Sequence, residues 1–414
     1  MKFLHVVHGY PPNIGGIQRL FQQVSERLVG NYGDEVTVFT TTAYSNYHFW
    51  GADRRAMPAG VEIMNGVLVR RFPVFNKFGW WRLNAARLAY KFRLPYHDWL
   101  RALYNGPIIP GMTAAIAGFE ADVVAASAFP LLHMQYALSG ARRSGKPILF
   151  SGGLHPADAW GFDRKMIYQA IRQADGYLAN TTFERDYLVE RGVAAAKISV
   201  TGAGVDVDEL AQADGRSWRK KHNVGDAPLV AFVGQQAEHK GIETLINSMP
   251  LVWRRRPETH LAIAGKPTAY SAKIREMAAA LPPERRRQVH LLDSPADEEK
   301  NNLLAACDLL ALPSRHESFG IVLVEAWACG KPVIGANIGA VAALIDADED
   351  GLIAPAGDSA AWAQAINALL DNPDLRHRLG ERGRRKVRQN YTWPAVTARF
   401  RAAYQAVLDE ERRK

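Results

Sequence analysis

The chain has 414 residues, of which 48% are hydrophobic and 22% charged, and its formal net charge is +9 at pH 7. This length suits two domains of ordinary size, and the composition is that of a globular protein, not a disordered or fibrous one. No apolar run approaches the roughly 20 residues of a membrane-spanning helix, and no secretory signal is visible. The basic residues are dispersed over helix faces, which favours solvated surfaces over a nucleic-acid site. Cys307 and Cys329 fit buried free thiols, so the sequence predicts a cytoplasmic protein.

Short apolar runs alternate with amphipathic segments, which predicts an α/β fold with parallel sheets. In the first half, strands are predicted at residues 2–8, 35–41, 67–72, 122–126, 147–151 and 176–180. Helical patterns lie between them, for example at residues 17–29 and 129–144. A second series of strands is predicted at residues 229–233, 260–264, 289–292, 309–312 and 332–335.

A turn-rich segment, TGAGVD at residues 201–206, separates the two series. The sequence therefore predicts an N-terminal doubly wound domain at residues 1–203 and a second one at residues 204–390. Residues 391–414 form a long amphipathic pattern opened by Thr392-Trp393-Pro394. Two such domains facing each other would form a cleft, and ligands bind outside the carboxyl ends of parallel strands.

Two carboxylates stand out in the stretch LPSRHESFGIVLVEAWACGKPVIG. Glu317 lies in a polar loop after a predicted strand, and Glu325 lies inside a helical pattern at residues 321–328. A fully helical connection would separate them by about 12 Å, which suits neither kind of glycosidase pair. Ser318-Phe319-Gly320 is predicted as the first turn of the helix, whose free N–H groups attract anions. Two sugar-binding carboxylates flanking a diphosphate site predict a nucleotide-sugar ligand, and the alternative is a pair of ordinary surface carboxylates.

This loop–helix–strand block, which ends at Gly330-Lys331-Pro332, resembles the donor-binding core of the retaining glycosyltransferases of family four. That family, also described as glycosyl transferases group one, has the GT-B fold: two Rossmann-like domains face each other across a cleft, and the last helix crosses back onto the first domain. The resemblance implies that Glu317 holds the donor sugar and that Glu325 binds the ribose.

Other stretches are similar to the same family in the expected order. Pro11-Pro12-Asn13-Ile14-Gly15-Gly16 follows the first strand, and its glycines, Gly15 and Gly16, would lie against the donor phosphate. His155 in FSGGLHP matches a histidine near the donor sugar, although a lone histidine is more often structural. A plain dinucleotide fingerprint, G-x-G-x-x-G, is absent from the first loop.

The second domain opens with the motif FVGQQAEHKG, in which Lys240 matches the lysine that pairs with the donor diphosphate. Gln235 stands where most relatives carry arginine, so one cation at the leaving group is missing. Gly265 follows the next strand, where backbone meets the nucleotide, and Lys266 beside it could supply some of the missing charge.

The resemblance implies a hexosyltransferase that works by a front-face mechanism with retained configuration, in which Glu317, Lys240 and His155 are the catalytic residues. No metal and no cofactor beyond a UDP-, GDP- or ADP-linked sugar is expected. The acceptor would be a glycan, a lipid-linked saccharide or a small molecule, as in polysaccharide biosynthesis. A retaining phosphorylase or a sucrose- or trehalose-type synthase is one alternative. A non-catalytic nucleotide-sugar-binding protein is another, because Gln235 carries no charge.

Residues 76–105 combine aromatic and basic side chains at high density. This pattern fits an amphipathic surface that rests on an anionic membrane, as a peripheral protein on the inner face would. It fits equally well a pair of helices packed on the first domain, with core aromatics and solvated arginines.

Overall fold

Two mostly parallel β-sheets organise the chain, one in each of two structural units. The computed structural model describes residues 1–13, 15–156 and 158–413. Unit 1 comprises Met1–Gly202 together with the segment from Trp393 onward, and unit 2 comprises Ala203–Thr392. The sequence predicts domain boundaries after residues 203 and 390. The boundaries between the units lie one and two residues away, after residues 202 and 392.

Unit 1 contains a sheet with the strand order β3-β4-β2-β1-β5-β6-β7-β8. Neighbouring strands are parallel except β3, which pairs antiparallel with β4 at the edge of the sheet. The strands are β1 (Lys2–Val7), β2 (Glu35–Thr41), β3 (Gly60–Met64), β4 (Val67–Phe72), β5 (Val123–Ser127), β6 (Ile148–Ser151), β7 (Gly176–Ala179) and β8 (Ile198–Val200). The helices are α1 (Gly16–Tyr32), α2 (Gly79–Lys91), α3 (His97–Asn105), α4 (Met112–Gly118), α5 (His133–Arg143), α6 (Ala159–Phe162), α7 (Lys165–Gln173) and α8 (Thr182–Val189).

Unit 2 contains a parallel sheet with the strand order β11-β10-β9-β12-β13-β14. Its strands are β9 (Leu229–Val233), β10 (His260–Gly265), β11 (Val289–Asp293), β12 (Leu309–Leu312), β13 (Val333–Ala336) and β14 (Gly351–Ala354). Its helices are α9 (Val207–Ala211), α10 (Gly215–Lys221), α11 (Ile242–Arg255), α12 (Ser271–Ala279), α13 (Pro283–Arg286), α14 (Asp297–Ala306), α15 (Ile321–Ala328), α16 (Gly339–Ala342), α17 (Ser359–Asp371) and α18 (Pro373–Asn390).

The final helix, α19 (Trp393–Glu411), returns to unit 1. Arg401 donates to the buried carboxylate of Asp34, with Nε 2.8 Å from Oδ2. The Tyr404 hydroxyl lies 3.2 Å from His5 Nε2, and the Phe400 ring packs edge-on against Phe21. The last helix therefore completes the core of the unit that contains the first strand, as the sequence predicts.

The prediction of an α/β fold with two doubly wound, Rossmann-like domains is confirmed. In both sheets the strand order reverses direction at one point, between β1 and β5 in unit 1 and between β9 and β12 in unit 2. At such a switch point the connections leave to opposite faces of the sheet, which opens a crevice at the carboxyl ends of the two strands. A ligand site in unit 2 is therefore expected at the loops that follow β9 and β12.

Several local predictions are wrong. Strands β3, β8 and β14 are not among the predicted strands, and the helix predicted at residues 129–144 begins only at His133. Among the described residues, no helix is both long and apolar enough to span a bilayer.

Candidate functional site

The loops that follow β9 and β12 contact each other through their backbones. The Arg315 N–H donates to the carbonyl oxygen of His239 at 2.7 Å. Gly241 has a φ of 66°, and a Cβ added there would lie 2.2 Å from the Pro313 carbonyl oxygen. Only glycine permits both this left-handed backbone and this close approach. The two loops are thereby held in contact at the switch point of the unit 2 sheet.

This contact brings two of the predicted catalytic residues together. Lys240 Nζ lies 2.5 Å from Glu317 Oε1, and only 16% and 12% of the two side chains are exposed. The Ser314 hydroxyl donates to the same Glu317 oxygen at 2.9 Å. Burial and the nearby Lys240 charge lower the pKa of His239. The site thus holds an ammonium group and a carboxylate side by side. The first can bind an anionic group of a ligand, and the second can accept hydrogen bonds from it.

Two helices begin at the same edge of the sheet. Helix α11 starts directly after Gly241, and α15 starts at Ile321. Ser318-Phe319-Gly320, predicted as the first turn of α15, instead precedes it. Gly320 has a φ of 87°, which no residue in a right-handed helix adopts, and its carbonyl oxygen accepts from Leu323 N at 2.9 Å. The positive ends of both helix dipoles therefore face the loops that hold Lys240 and Glu317.

Phe319 contributes packing to this loop. Its side chain is buried in the unit 2 core and meets the Tyr391 ring edge-on at 5.7 Å between centroids. Of the predicted donor-binding segment, Ser318 is half-buried and Phe319 and Gly320 are buried. The Phe319 ring therefore anchors the loop, and a ligand could meet this residue through its backbone.

Glu325, the predicted ribose ligand, has a partner that sequence reasoning missed. It lies inside α15, and its Oε1 accepts from Lys300 Nζ of α14 at 2.7 Å. The two side chains are 15% and 16% exposed. Nothing in the local sequence signals this pair, because 25 residues separate its members.

Gly265 allows the ends of β9 and β10 to approach closely. A Cβ on Gly265 would lie 1.8 Å from the Gly234 carbonyl oxygen. Gln236 N donates to the Lys266 carbonyl oxygen at 2.9 Å, and its buried side chain donates to Asp293 at 2.8 Å. Gln235 itself is exposed. Gln236, which sequence reasoning did not single out, therefore secures the loop and leaves its neighbour at the surface.

The predicted glycines of unit 1 open helix α1. Gly15 is the N-cap residue, with extended backbone, and Gly16 is the first helical residue. A Cβ on Gly15 would lie 2.5 Å from Gln18 Oε1, whereas one on Gly16 would meet nothing within 4 Å. Ile14 of this loop lies outside the described residues.

His155 follows β6 on a loop that a buried carboxylate organises. Glu184 accepts from Gly153 N at 2.9 Å and from Leu154 N at 3.0 Å, and its other oxygen accepts from Asn180 N at 2.7 Å. Burial raises the pKa of Glu184, while these N–H groups act in the opposite direction. The His155 ring is half-buried and lies 5.4 Å from the Phe162 ring centroid. His155, Gly15 and Gly16 belong to unit 1, and the other predicted site residues belong to unit 2.

Over residues 1–13, 15–156 and 158–413, no group of three or more histidine, cysteine, aspartate or glutamate side chains is arranged to hold a metal ion. The metal-independent mechanism remains a prediction.

Two family models match the chain. Residues 14–209 match Glycosyltransferase Family 4, and residues 214–386 match Glycosyl transferases group 1. D-inositol 3-phosphate glycosyltransferase of Corynebacterium glutamicum is 32% identical over 253 residues, which are 59% of this chain and 60% of that protein. The chain thus matches less than two thirds of that relative's length. The enzyme of the same name from Saccharomonospora viridis is 26% identical over 413 residues, covering 92% of this chain and 87% of its own.

Solved structures agree on the fold. The Anabaena protein HepE, in complex with UDP and glucose, superposes with a TM-score of 0.71 at 19% identity, covering 98% of this chain and 99% of its own. At this identity the likeness concerns the fold alone. Together with the two family models, one on each half, it identifies the chain: it belongs to the family 4 and group 1 glycosyltransferases, and it has the GT-B fold.

Proposed function

We propose that this protein transfers a hexosyl group from a nucleotide sugar to an acceptor hydroxyl with retention of the anomeric configuration. The observation that carries the proposal is the Lys240–Glu317 pair, 2.5 Å apart, between two helix N-termini at the switch point of unit 2. A diphosphate would be attracted by the ammonium group and by the helix ends. The hydroxyl groups of a sugar would donate to the carboxylate.

The chemical step follows from these two roles, in which Lys240 binds the diphosphate and Glu317 binds the sugar. The bond between the anomeric carbon and the diphosphate oxygen breaks, and the acceptor oxygen attacks the same face. The acceptor proton passes to the departing phosphate oxygen. Lys240 stabilises the negative charge that grows on the leaving group, which lowers the barrier more than it strengthens ground-state binding. Glu317 orients the sugar, Glu325 binds the ribose, and His155 contacts the donor sugar.

We propose a UDP-linked donor, because HepE, which shares the fold, is in complex with UDP and glucose. For the acceptor, the relatives named D-inositol 3-phosphate glycosyltransferase suggest a phosphorylated polyol as the first candidate to assay. Glycans and lipid-linked saccharides come next. The reaction is proposed to need no divalent ion.

Turnover across a donor panel tests the proposal. Purified protein with UDP-, GDP- and ADP-glucose, each with and without inositol phosphate and with excess chelator, should release UDP from the UDP-linked donor. NMR of the product should show an unchanged anomeric configuration. Glu317→Ala should reduce the rate at least about a hundredfold, as expected for loss of a group that positions the reacting sugar.

The other outcomes separate the alternatives. Sugar phosphate formed with inorganic phosphate as acceptor would indicate a phosphorylase, and transfer to fructose or to glucose 6-phosphate would indicate a synthase. Donor binding without turnover would indicate a non-catalytic binding protein. Turnover that Glu317→Ala leaves unchanged would contradict the proposed site.

We also propose that the surface formed by α2, α3 and their flanking loops docks on an anionic bilayer. Trp80, Trp81, Phe92 and Tyr96 are 65%, 67%, 61% and 79% exposed. The packed-helix alternative requires aromatic rings in the core. These four rings are exposed instead. Trp and Tyr rings at a surface favour the interface between water and lipid.

The charges on this surface favour the same partner. Lys77, Arg87, Lys91 and Arg93 are exposed, and Asp98 is the one carboxylate in residues 76–105. Asp98 is paired with a buried guanidinium, Arg101, at 2.6 Å. A second copy of the chain would bring like charges together, whereas anionic lipids attract each cation by about 1 kcal/mol.

Vesicle sedimentation tests this docking. The protein should pellet with phosphatidylglycerol vesicles and remain in solution with phosphatidylcholine vesicles, and added salt should release it. Trp80→Ser with Trp81→Ser should lower the bound fraction severalfold. The control is Ile63→Ser, since Ile63 is 74% exposed on β3, outside the patch. Dimerisation that the tryptophan variant abolishes, without vesicle binding, would overturn the lipid assignment in favour of a second copy.

A further inference from the structure

Unit 2 has an open cavity at the amino-terminal ends of its strands, opposite the end that holds the Lys240–Glu317 pair. Its volume is about 660 Å³, and its lining includes His222, His260, His290, Lys221 and Arg287. His260 and the neighbour of His290 are the first residues of β10 and β11. Lys240 and Glu317 follow the carboxyl ends of parallel strands, so roughly 15–20 Å of sheet separates the two places. The glycosyl-transfer site does not extend to this cavity.

The three histidines form one contiguous cluster. His260 Nδ1 lies 2.8 Å from His290 Nε2, and their rings stack with an interplanar angle of 9°. The His222 ring lies 5.8 Å from that of His290 and stacks on Trp218 at 4.1 Å. Burial and the two neighbouring histidines lower the pKa of His290 to about 4. His290 is therefore neutral near pH 7 unless a bound anion draws a proton to it.

The charged groups around the cluster are mostly cations. Helix α10 contributes Lys221. Burial, and to a smaller extent the charge of Arg219 on the same helix, lower the pKa of His260. Arg287 lines the cavity from the end of α13. The opposing carboxylate is Glu299 of α14, 2.7 Å from Lys221 Nζ and 3.4 Å from His222 Nε2. Lys221 and Arg287 thus line the cavity together with the three histidine rings and face Glu299, whereas Arg219 is paired with Asp308 at 2.8 Å.

A metal ion does not fit this arrangement. The facing nitrogens of His260 and His290 are already hydrogen-bonded to each other. Among the described residues no set of three or more potential ligands is arranged around a common point. Lys221 and Arg287 would also repel a cation. An anion with several acceptor oxygens fits, since ammonium, guanidinium and imidazole N–H groups all donate to it.

We propose that this cavity is a second anion site, which binds the phosphate group of a small molecule at the edge of the sheet remote from the glycosyl-transfer site. Lys221 and Arg287 supply the permanent charge, and the histidine cluster supplies further donors when it takes up a proton. A volume of about 660 Å³ accommodates a small phosphorylated compound as well as inorganic phosphate.

The experiment follows the histidine-ring signals of the full chain by NMR while phosphate is added at constant pH and ionic strength. The signals of His222, His260 and His290, assigned with single His→Gln variants, should shift. Lys221→Ala with Arg287→Ala should weaken the apparent affinity about tenfold or more, because it removes two charged donors. The control, Lys220→Ala with Arg286→Ala, removes the same charge one residue away and should leave the affinity within about twofold.

Further titrations identify the source of the ligand and distinguish this cavity from the glycosyl-transfer site. Glycerol phosphate that binds tighter than inorganic phosphate would identify a phosphorylated metabolite, and the reverse order would identify the free ion. Lys240→Ala should leave the shifts unchanged, because it alters only the transfer site. Sulfate keeps its charge while phosphate titrates near this range. It should bind tighter as the pH falls from about 7.5 to 5.5, because a bound anion raises the lowered pKa values of His260 and His290.

Three results would overturn the proposal. The first is an equal loss of affinity in the two double variants, which would indicate a diffuse charge effect. The second is loss of the shifts in Lys240→Ala, which would locate the phosphate at the transfer site. The third is a response of the three rings to zinc but not to phosphate, which would make the cluster a metal site.

Discussion

At the scale of single residues, Lys240 and Glu317 neutralise each other as long as no ligand separates them. Their charges are 2.5 Å apart and largely shielded from water, so each strongly affects what the other can bind. A bound diphosphate has to share Lys240 with the carboxylate. A bound sugar has to compete with Lys240 and Ser314 for the same carboxylate oxygen.

This competition predicts opposite effects of one substitution on binding and on turnover. Glu317→Gln should leave UDP affinity unchanged or raise it, because Lys240 no longer shares its charge with a carboxylate. The same variant should lower kcat about a hundredfold or more, because the sugar loses a charged acceptor and keeps only a neutral amide oxygen. Calorimetry with UDP and steady-state kinetics would measure the two effects.

The exposed Glu276 of α12 provides the control, since Glu276→Gln removes the same charge away from the loops. A parallel loss of UDP affinity and kcat in Glu317→Gln would mean that the carboxylate only supports the loop.

Gln235 and Lys266 allow a test of the missing cation. The Lys266 carbonyl oxygen is hydrogen-bonded to the residue after Gln235, so the two positions are adjacent. Lys266→Ala should weaken binding of the nucleotide diphosphate, and Gln235→Arg should strengthen it, each by roughly tenfold, the value of one charge-assisted hydrogen bond. Calorimetric titration with UDP measures both, and Lys220→Ala is the control for overall charge. Unchanged affinity in both variants would show that neither position reaches the phosphates.

At this scale the sequence predicted types of residue better than contacts. Lys240 and Glu317 were assigned through a family resemblance, and their contact joins residues 77 positions apart. Lys300 and Gln236 were missed because their partners, Glu325 and Asp293, lie on other elements. Hydrogen bonds between distant loops leave no local signal in the sequence. A glycine directly after a strand does leave one.

At the scale of elements, buried strands were the easiest to predict. β2, β4, β9 and β12 have the predicted bounds: β9 and β12 are short apolar runs, and β2 and β4 are rich in β-branched and aromatic residues. β3 is an exposed antiparallel edge strand, and β8 and β14 have three and four residues, so none offers a long apolar run. The start of α15 was misplaced because Gly320 adopts a left-handed conformation that composition does not reveal.

The contact between the two loops makes Gly241 a position where a single methyl group should matter. Gly241→Ala would force an alanine into a left-handed conformation, at a cost of about 1–2 kcal/mol. It would also drive a carbon into the Pro313 carbonyl oxygen, which should part Lys240 from Glu317. We expect both a lower melting temperature and a large loss of turnover.

Gly225→Ala is the matched control. Gly225 has a φ of 58°, and a Cβ there meets nothing within 4 Å. It should therefore lower the melting temperature through the backbone alone and leave turnover intact. Equal activities of the two variants would show that the approach of the loops is not needed for catalysis.

At the scale of the whole molecule, unit 1 contains buried histidines that should make it sensitive to acid. Burial lowers the pKa of His5 and His8 to about 3, and that of His133 to about 4. In the unfolded chain a histidine titrates near 6.5. The unfolded state therefore binds more protons than the folded state below that pH, and stability present above pH 6.5 is lost as the pH falls toward 4. The raised pKa of Glu184 acts in the opposite direction.

Hydrogen exchange between pH 7 and pH 5 would measure this sensitivity in each unit separately. Each neutral buried histidine contributes a slope of up to about 1.4 kcal/mol per pH unit. Amides of β1 and β5 should lose protection as the pH falls, and those of β9 and β12 should lose it too, because burial also lowers the pKa values of His260 and His290 in unit 2. His5→Gln should flatten the pH dependence in unit 1, whereas His377→Gln, at an exposed position on α18, should not. Protection of β1 and β5 that stays constant between pH 7 and pH 5 would refute this account.

The return of α19 to unit 1 also concerns how the chain is made. A ribosome releases β1 long before it releases Tyr404, the residue that closes over His5. Until then, part of the core around Phe3 and Phe21 lacks its cover, and that surface is open to chaperones. All of unit 2 emerges before α19 does. The domain that comes second in the sequence can therefore reach its native state during synthesis, while the first domain must wait for the last helix.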